Sequence, residues 1–131
     1  MMMFDAPRIP FRITDLFSGF AEARGLMRVA EEGIRLEYQV KDALIGMMKS
    51  SIRELLIPYE EIESIVFRRR WWRRSIEIRT KSLRIPASIP GQSGSSITIR
   101  VQRRDRLTIE ESISHAVLRL SEIKLQRIEN W

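Results

Sequence analysis

The sequence predicts a mainly β domain that ends in a long α-helix, and three observations predict it. Apolar residues alternate at period two in about seven short segments between Leu26 and Arg103. From Thr108 almost to the C-terminus the apolar period becomes helical. At the switch, Thr108-Ile109-Glu110-Glu111 has the spacing of a capping box, in which a hydroxyl and a carboxylate satisfy reciprocal orphan N–H groups.

The elements follow in order. Residues 1–13 carry Met, Pro and Arg without a clear period and read as a loosely held arm. Leu16, Phe17, Phe20 and Ala21 recur at three- and four-residue spacing, which predicts a short amphipathic helix over Thr14–Arg24 capped by Gly25. Leu26–Ala30 reads as a first strand, Glu31-Glu32-Gly33 as a tight turn and Ile34–Val40 as an alternating strand. Ser51–Ile57 is a third strand, stopped by Pro58, and Tyr59-Glu60-Glu61 a single turn before the strand Ile62–Phe67. Arg68–Arg74 contains no Gly, Asn, Asp or Pro, so no turn residue marks where one strand ends. Ile76 and Ile78 belong to a fifth strand, Leu83–Ile85 to a short sixth, and Ile97, Ile99 and Val101 to a seventh. The terminal helix presents Ile109, Ile113, Ala116, Val117, Leu120 and Ile123 as one stripe. Each large side chain on it is worth about 1.5–3 kcal/mol on burial, so the helix belongs against the core. The expected core comprises Leu36, Tyr38, Val40, Leu55, Ile57, Ile65, Phe67, Ile76, Ile78, Ile97, Ile99, Val101, Ile113, Val117 and Leu120.

At 131 residues the chain has room for one domain. Cysteine is absent, which excludes disulfides and thiolate metal sites. Met1–Pro7 shows no basic segment followed by an apolar run, and no window reaches the roughly 18 apolar residues that span a bilayer, so a cytoplasmic location is expected. The net charge of +6 is concentrated: Arg68–Arg84 holds eight basic residues against Glu77, and everything outside that segment sums to −1. Charge gathered in this way speaks to association.

Three stretches give the chain a residue-level likeness: Ile57-Pro58-Tyr59-Glu60-Glu61-Ile62, Trp71-Trp72, and Ile97–Arg106 running into the helix. In these, and in its element order, it resembles bacterial PH-like (pleckstrin-homology superfold) domain proteins of unknown function. The resemblance covers about Gly25 to Leu125. It implies a partly open barrel of about seven antiparallel strands plugged by the terminal helix, with residues 26–131 forming that domain and 1–25 an arm and short helix before it. In the superfold the best-known ligand is a phosphoinositide, held by basic residues on the first two strands and their connecting loop. Here Arg28 and Arg35 are accompanied by Glu31, Glu32 and Glu37, which repel a phosphorylated inositol, so a phosphoinositide is not the expected ligand.

Candidate chemistry is sparse. His115 is the sole histidine and reads as structural. The pairs Glu31-Glu32, Glu60-Glu61 and Glu110-Glu111 read as a turn, a loop and a helix first turn, where negative charge suits the dipole. The loop Pro90–Ser96 matches no phosphate-binding pattern and reads as a connection. No nucleophile, base and orienting group can be assembled, so neither an enzyme, a cofactor nor a bound metal is expected. Two segments remain. Leu44, Ile45, Met47 and Met48 form an apolar connection that reads as packing over a barrel end or against the N-terminal helix, or as a partner or self-association contact, and a homo-oligomer is expected.

Arg68-Arg69-Arg70-Trp71-Trp72-Arg73-Arg74 is the candidate binding site. It reads either as an edge hairpin whose arginines deter aggregation, with partly buried Trp rings, or as a contact for an anionic ligand. Charge, a bidentate fork and a ring face together favour an acidic protein partner or a second copy of the chain. An anionic membrane or nucleic acid is the alternative. Adjacent Trp residues in a strand point to opposite faces, which disfavours a nucleic-acid stacking platform.

Overall fold

In the computed structural model, which describes residues 6–16, 19, 21–42, 52–92 and 94–130, seven antiparallel strands form one open sheet followed by a C-terminal helix. The strands are β1 (Ile9–Leu16), β2 (Ala21–Val29), β3 (Gly33–Asp42), β4 (Arg53–Pro58), β5 (Ile62–Arg70), β6 (Arg73–Thr80) and β7 (Ser96–Val101). A short helix α1 (Arg84–Ala87) precedes β7, and α2 (Arg106–Glu129) ends the chain. The sheet order is β4-β3-β2-β1-β7-β6-β5. Two meanders, β1 to β4 and β5 to β7, are therefore joined through β1 and β7, whose pairing is brief: Phe11↔Val101 and Arg12↔Arg100.

Geometry forces this sheet to curl. The two edge strands, β4 and β5, are separated in sequence only by a 3₁₀ turn, Tyr59–Glu61. A chain from Pro58 to Ile62 reaches about 14 Å at most, whereas a flat seven-stranded sheet would set its edges about 29 Å apart. The edges are brought near each other, yet no pairing between β4 and β5 is present among the described residues. Tyr59 fixes the corner. Its buried hydroxyl donates to the Ala30 carbonyl at 2.7 Å, and its N–H donates to the Glu32 carbonyl at 3.2 Å.

The concave face is the core. Ile9, Phe11 and Ile13 of β1, Met27 and Val29 of β2, Ile34 and Leu36 of β3, and the isoleucines of β6 and β7 all lie on it and are buried. Helix α2 packs on both β2 and β5, which have three other strands between them in the sheet, so it spans the concave mouth. Ile109, Ser112, Ala116 and Leu120 are its buried side chains, and Ile113 and Ile123 pack beside them.

Several expectations are corrected. Residues 9–13 are not a loose arm, because β1 lies at the centre of the sheet. Thr14–Arg24 is not a helix: β1 runs to Leu16 and β2 begins at Ala21, with Ala21 and Ala23 facing the core. Gly25 is no helix cap but a mid-strand residue, where a Cβ would run into the Glu37 carbonyl of β3. Leu83–Ile85 is not a strand; Arg84–Ala87 forms a helical turn and Leu83 is exposed. Helix α2 starts at Arg106, two residues before the capping box, with Asp105 at its cap position and no side-chain cap bond. Val117 is 43% exposed and leaves the expected core.

Candidate binding site at the β5–β6 hairpin

The Arg/Trp segment is a β-hairpin with a two-residue tip. β5 ends at Arg70, β6 begins at Arg73, and Trp71 and Trp72 make the turn between them. Arg70 stands opposite Arg73, Arg69 opposite Arg74 and Arg68 opposite Ser75. Because Ile65 and Phe67 face the core opposite Ile78 and Ile76, Arg69 and Arg74 continue the concave side while Arg68, Arg70 and Arg73 face outward.

This placement sorts the arginines into two sets. Arg69 Nη1 donates to Glu110 Oε1 of α2 at 2.8 Å, and its guanidinium lies 5.9 Å from the Phe67 ring centroid. Arg68 Nη2 donates to Glu77 Oε1 at 3.2 Å, with Arg79 Nε a further 3.8 Å neighbour of the same oxygen. Arg74 is half-buried, and its Nε finds no acceptor among the described residues. Arg68 and Arg69 are thus paired within the fold, and Arg74 is partly covered by it. Arg70 and Arg73, by contrast, are exposed and meet no carboxylate among the described residues. Arg70 instead lies over the Trp72 ring, 5.9 Å from its centroid.

Both Trp side chains are exposed, Trp72 less completely than Trp71 because Arg70 lies over its ring. Trp71 is 87% exposed and Trp72 59% exposed. Their position in a turn also removes the expectation that they point to opposite faces: the rings meet edge to face, centroids 5.5 Å apart at 80°. The quadrupoles of two aromatic rings favour that arrangement. The tip is thus an aromatic pair flanked by two outward, unbalanced cations. The pairing of Arg68 with Glu77 and of Arg69 with Glu110 is not readable from the sequence, since it depends on strand register and on where α2 docks.

The remaining candidates fall elsewhere. Leu44, Ile45, Met47 and Met48 lie outside the described residues. His115 sits on the exposed side of α2. Glu32 accepts from Arg35 at 3.2 Å in the β2–β3 turn. Gln92 folds the loop before β7 back on itself, its Oε1 accepting from the Thr98 N–H at 2.9 Å. Among the described residues no three His, Asp or Glu side chains gather as a metal site, and no helix is long and apolar enough to cross a membrane. Comparison with models of known protein families, with characterised proteins and with solved structures finds no match for this chain.

Proposed function

We propose that this chain is a non-catalytic, PH-like binding module that docks an acidic protein partner through the tip of the β5–β6 hairpin. One observation carries the reading: Trp71 and Trp72 stand exposed between Arg70 and Arg73, a directly opposed like-charge pair that no carboxylate of the described chain balances. Opposed like charges destabilise a hairpin, and an exposed aromatic pair leaves apolar surface in water. An acidic surface with a pocket for one Trp relieves both.

Magnitudes favour a protein over a membrane or a polynucleotide. Five arginines at about 1 kcal/mol each near an anionic membrane give roughly 5 kcal/mol, an affinity on the order of 0.1–1 mM. With Arg68 and Arg69 already paired within the fold, the available charge is smaller still. A buried Trp anchor adds about 2 kcal/mol or more, and only a partner with a matching pocket supplies it. The exposure of both rings beside arginines also suits the headgroup layer of an anionic membrane, which is the second reading.

The discriminating experiment compares wild type with Trp71→Ala/Trp72→Ala and Arg70→Ala/Arg73→Ala variants in three arms. These are capture from an extract of the source cell, flotation with phosphatidylserine-containing vesicles, and retention on single-stranded DNA. A protein captured by wild type and lost with both variants supports the proposal. Tight vesicle or DNA binding, with no protein sensitive to both variants, overturns it.

A further inference from the structure

A second basic feature lies away from the hairpin, on the convex face of the sheet. Arg24 of β2 stands directly opposite Arg12 of β1, and Arg12 directly opposite Arg100 of β7. Strands in a sheet lie about 4.8 Å apart, so three guanidinium-bearing positions fall within about 10 Å along one row. Like charges placed directly opposite are unfavourable, and the fold places two such pairs side by side.

The same three arginines line an open cavity of about 310 Å³, together with Pro10, Gly25 and Gln102. It sits where β1 and β7 part after their short pairing, next to Pro10, which has no N–H to extend a ladder. Among the described residues, no acidic side chain lines it. Arg12 makes no hydrogen bond or ion pair among the described residues, and Arg100 Nη1 is bound only to a neutral hydroxyl, Thr14 Oγ1, at 3.2 Å. Arg24 gives its Nε to Glu22 at 2.7 Å, which orients the guanidinium and leaves its other N–H groups unassigned.

We propose that Arg12, Arg24 and Arg100 form an oxyanion site for a phosphate or phosphoryl group. Guanidinium forks match the oxygens of such groups and bind them bidentately. Three forks converging on one cavity suit a tetrahedral anion with several oxygens better than a carboxylate with two, and a cavity of this size stands at the lower end of the range for small ligands. The site is independent of the hairpin tip: it uses other strands and none of the residues assigned there.

Calorimetric titration with inorganic phosphate and with inorganic pyrophosphate, at ionic strength held constant with chloride, tests it. Saturable one-to-one binding of pyrophosphate is expected, weakened at least tenfold in Arg12→Gln and in Arg100→Gln and unchanged in Arg127→Gln. Arg12→Gln should leave the ligand-free protein as stable as wild type or more so, because it removes a like-charge neighbour. Vesicles of phosphatidic acid in phosphatidylcholine form a second arm: binding to them that pyrophosphate displaces, with the same sensitivity to the variants, assigns the phosphoryl group to a lipid, and its absence assigns a soluble ligand. Absence of saturable heat at millimolar pyrophosphate, or equal binding by wild type and both variants, overturns the proposal.

Discussion

Arg69 of β5 and Glu110 of α2 are joined by a 2.8 Å ion pair that ties the end of the hairpin to the second turn of the terminal helix. The pair is half open to water, with side chains 54% and 40% exposed, so its strength is that of a surface contact. A double-mutant cycle with Arg69→Ala and Glu110→Ala is expected to give a coupling of about 0.2–1 kcal/mol in urea unfolding. The coupling should shrink with added salt.

Gly25 marks a place where β2 and β3 approach too closely for a side chain. A Cβ there meets the Glu37 carbonyl and the Tyr38 side chain, and backbone cannot swing away as a flexible side chain does. Gly25→Ala is therefore expected to destabilise the protein by about 1–3 kcal/mol, as measured by denaturant unfolding. Gly19, with nothing within reach of a Cβ, has no such close approach.

Tyr59 gives the domain an alkaline limit. Burial, with Glu32 adding to it and Arg119 opposing, pushes its phenol from 10.0 up to about 12. The folded state thus holds the proton more tightly than the unfolded state. The associated stability is complete below pH 10.0 and is lost as pH rises toward 12. Tyr59→Phe is expected to remove that pH dependence. At neutral pH it should cost about 0.5–1.5 kcal/mol, through loss of the bond to the Ala30 carbonyl. Unfolding curves collected across the alkaline range check both parts.

The strands with clean alternation were legible from sequence. Ile34 to Val40, Ile76-Glu77-Ile78 and Ile97 to Val101 all occupy the positions their period predicts. The central strand β1 was not, because Pro10 interrupts Ile9-Pro10-Phe11-Arg12-Ile13 and the next apolar residues happen to fall at helical spacing. Small residues hid the start of β2 as well: Ala21 and Ala23 are core positions that carry little hydrophobic signal. The Trp71-Trp72 turn lacks the glycine or asparagine that would have announced it, so the exposure of both rings was concealed. The row Arg24-Arg12-Arg100 is invisible in sequence for a different reason. It depends on register between β1 and β7, strands that have the other five between them in the chain.

The most direct test of the binding account is retention of the captured partner as salt is raised, for wild type, Trp71→Ala, Trp72→Ala and Arg70→Ala/Arg73→Ala. Wild-type binding is expected to fall with salt, the double arginine variant to weaken binding and flatten this dependence, and at least one Trp variant to weaken binding more than tenfold at every salt concentration, since a buried ring contributes about 2 kcal/mol or more without charge. Binding that follows salt alone and ignores both Trp substitutions would contradict it, and would leave the hairpin a nonspecific polycation.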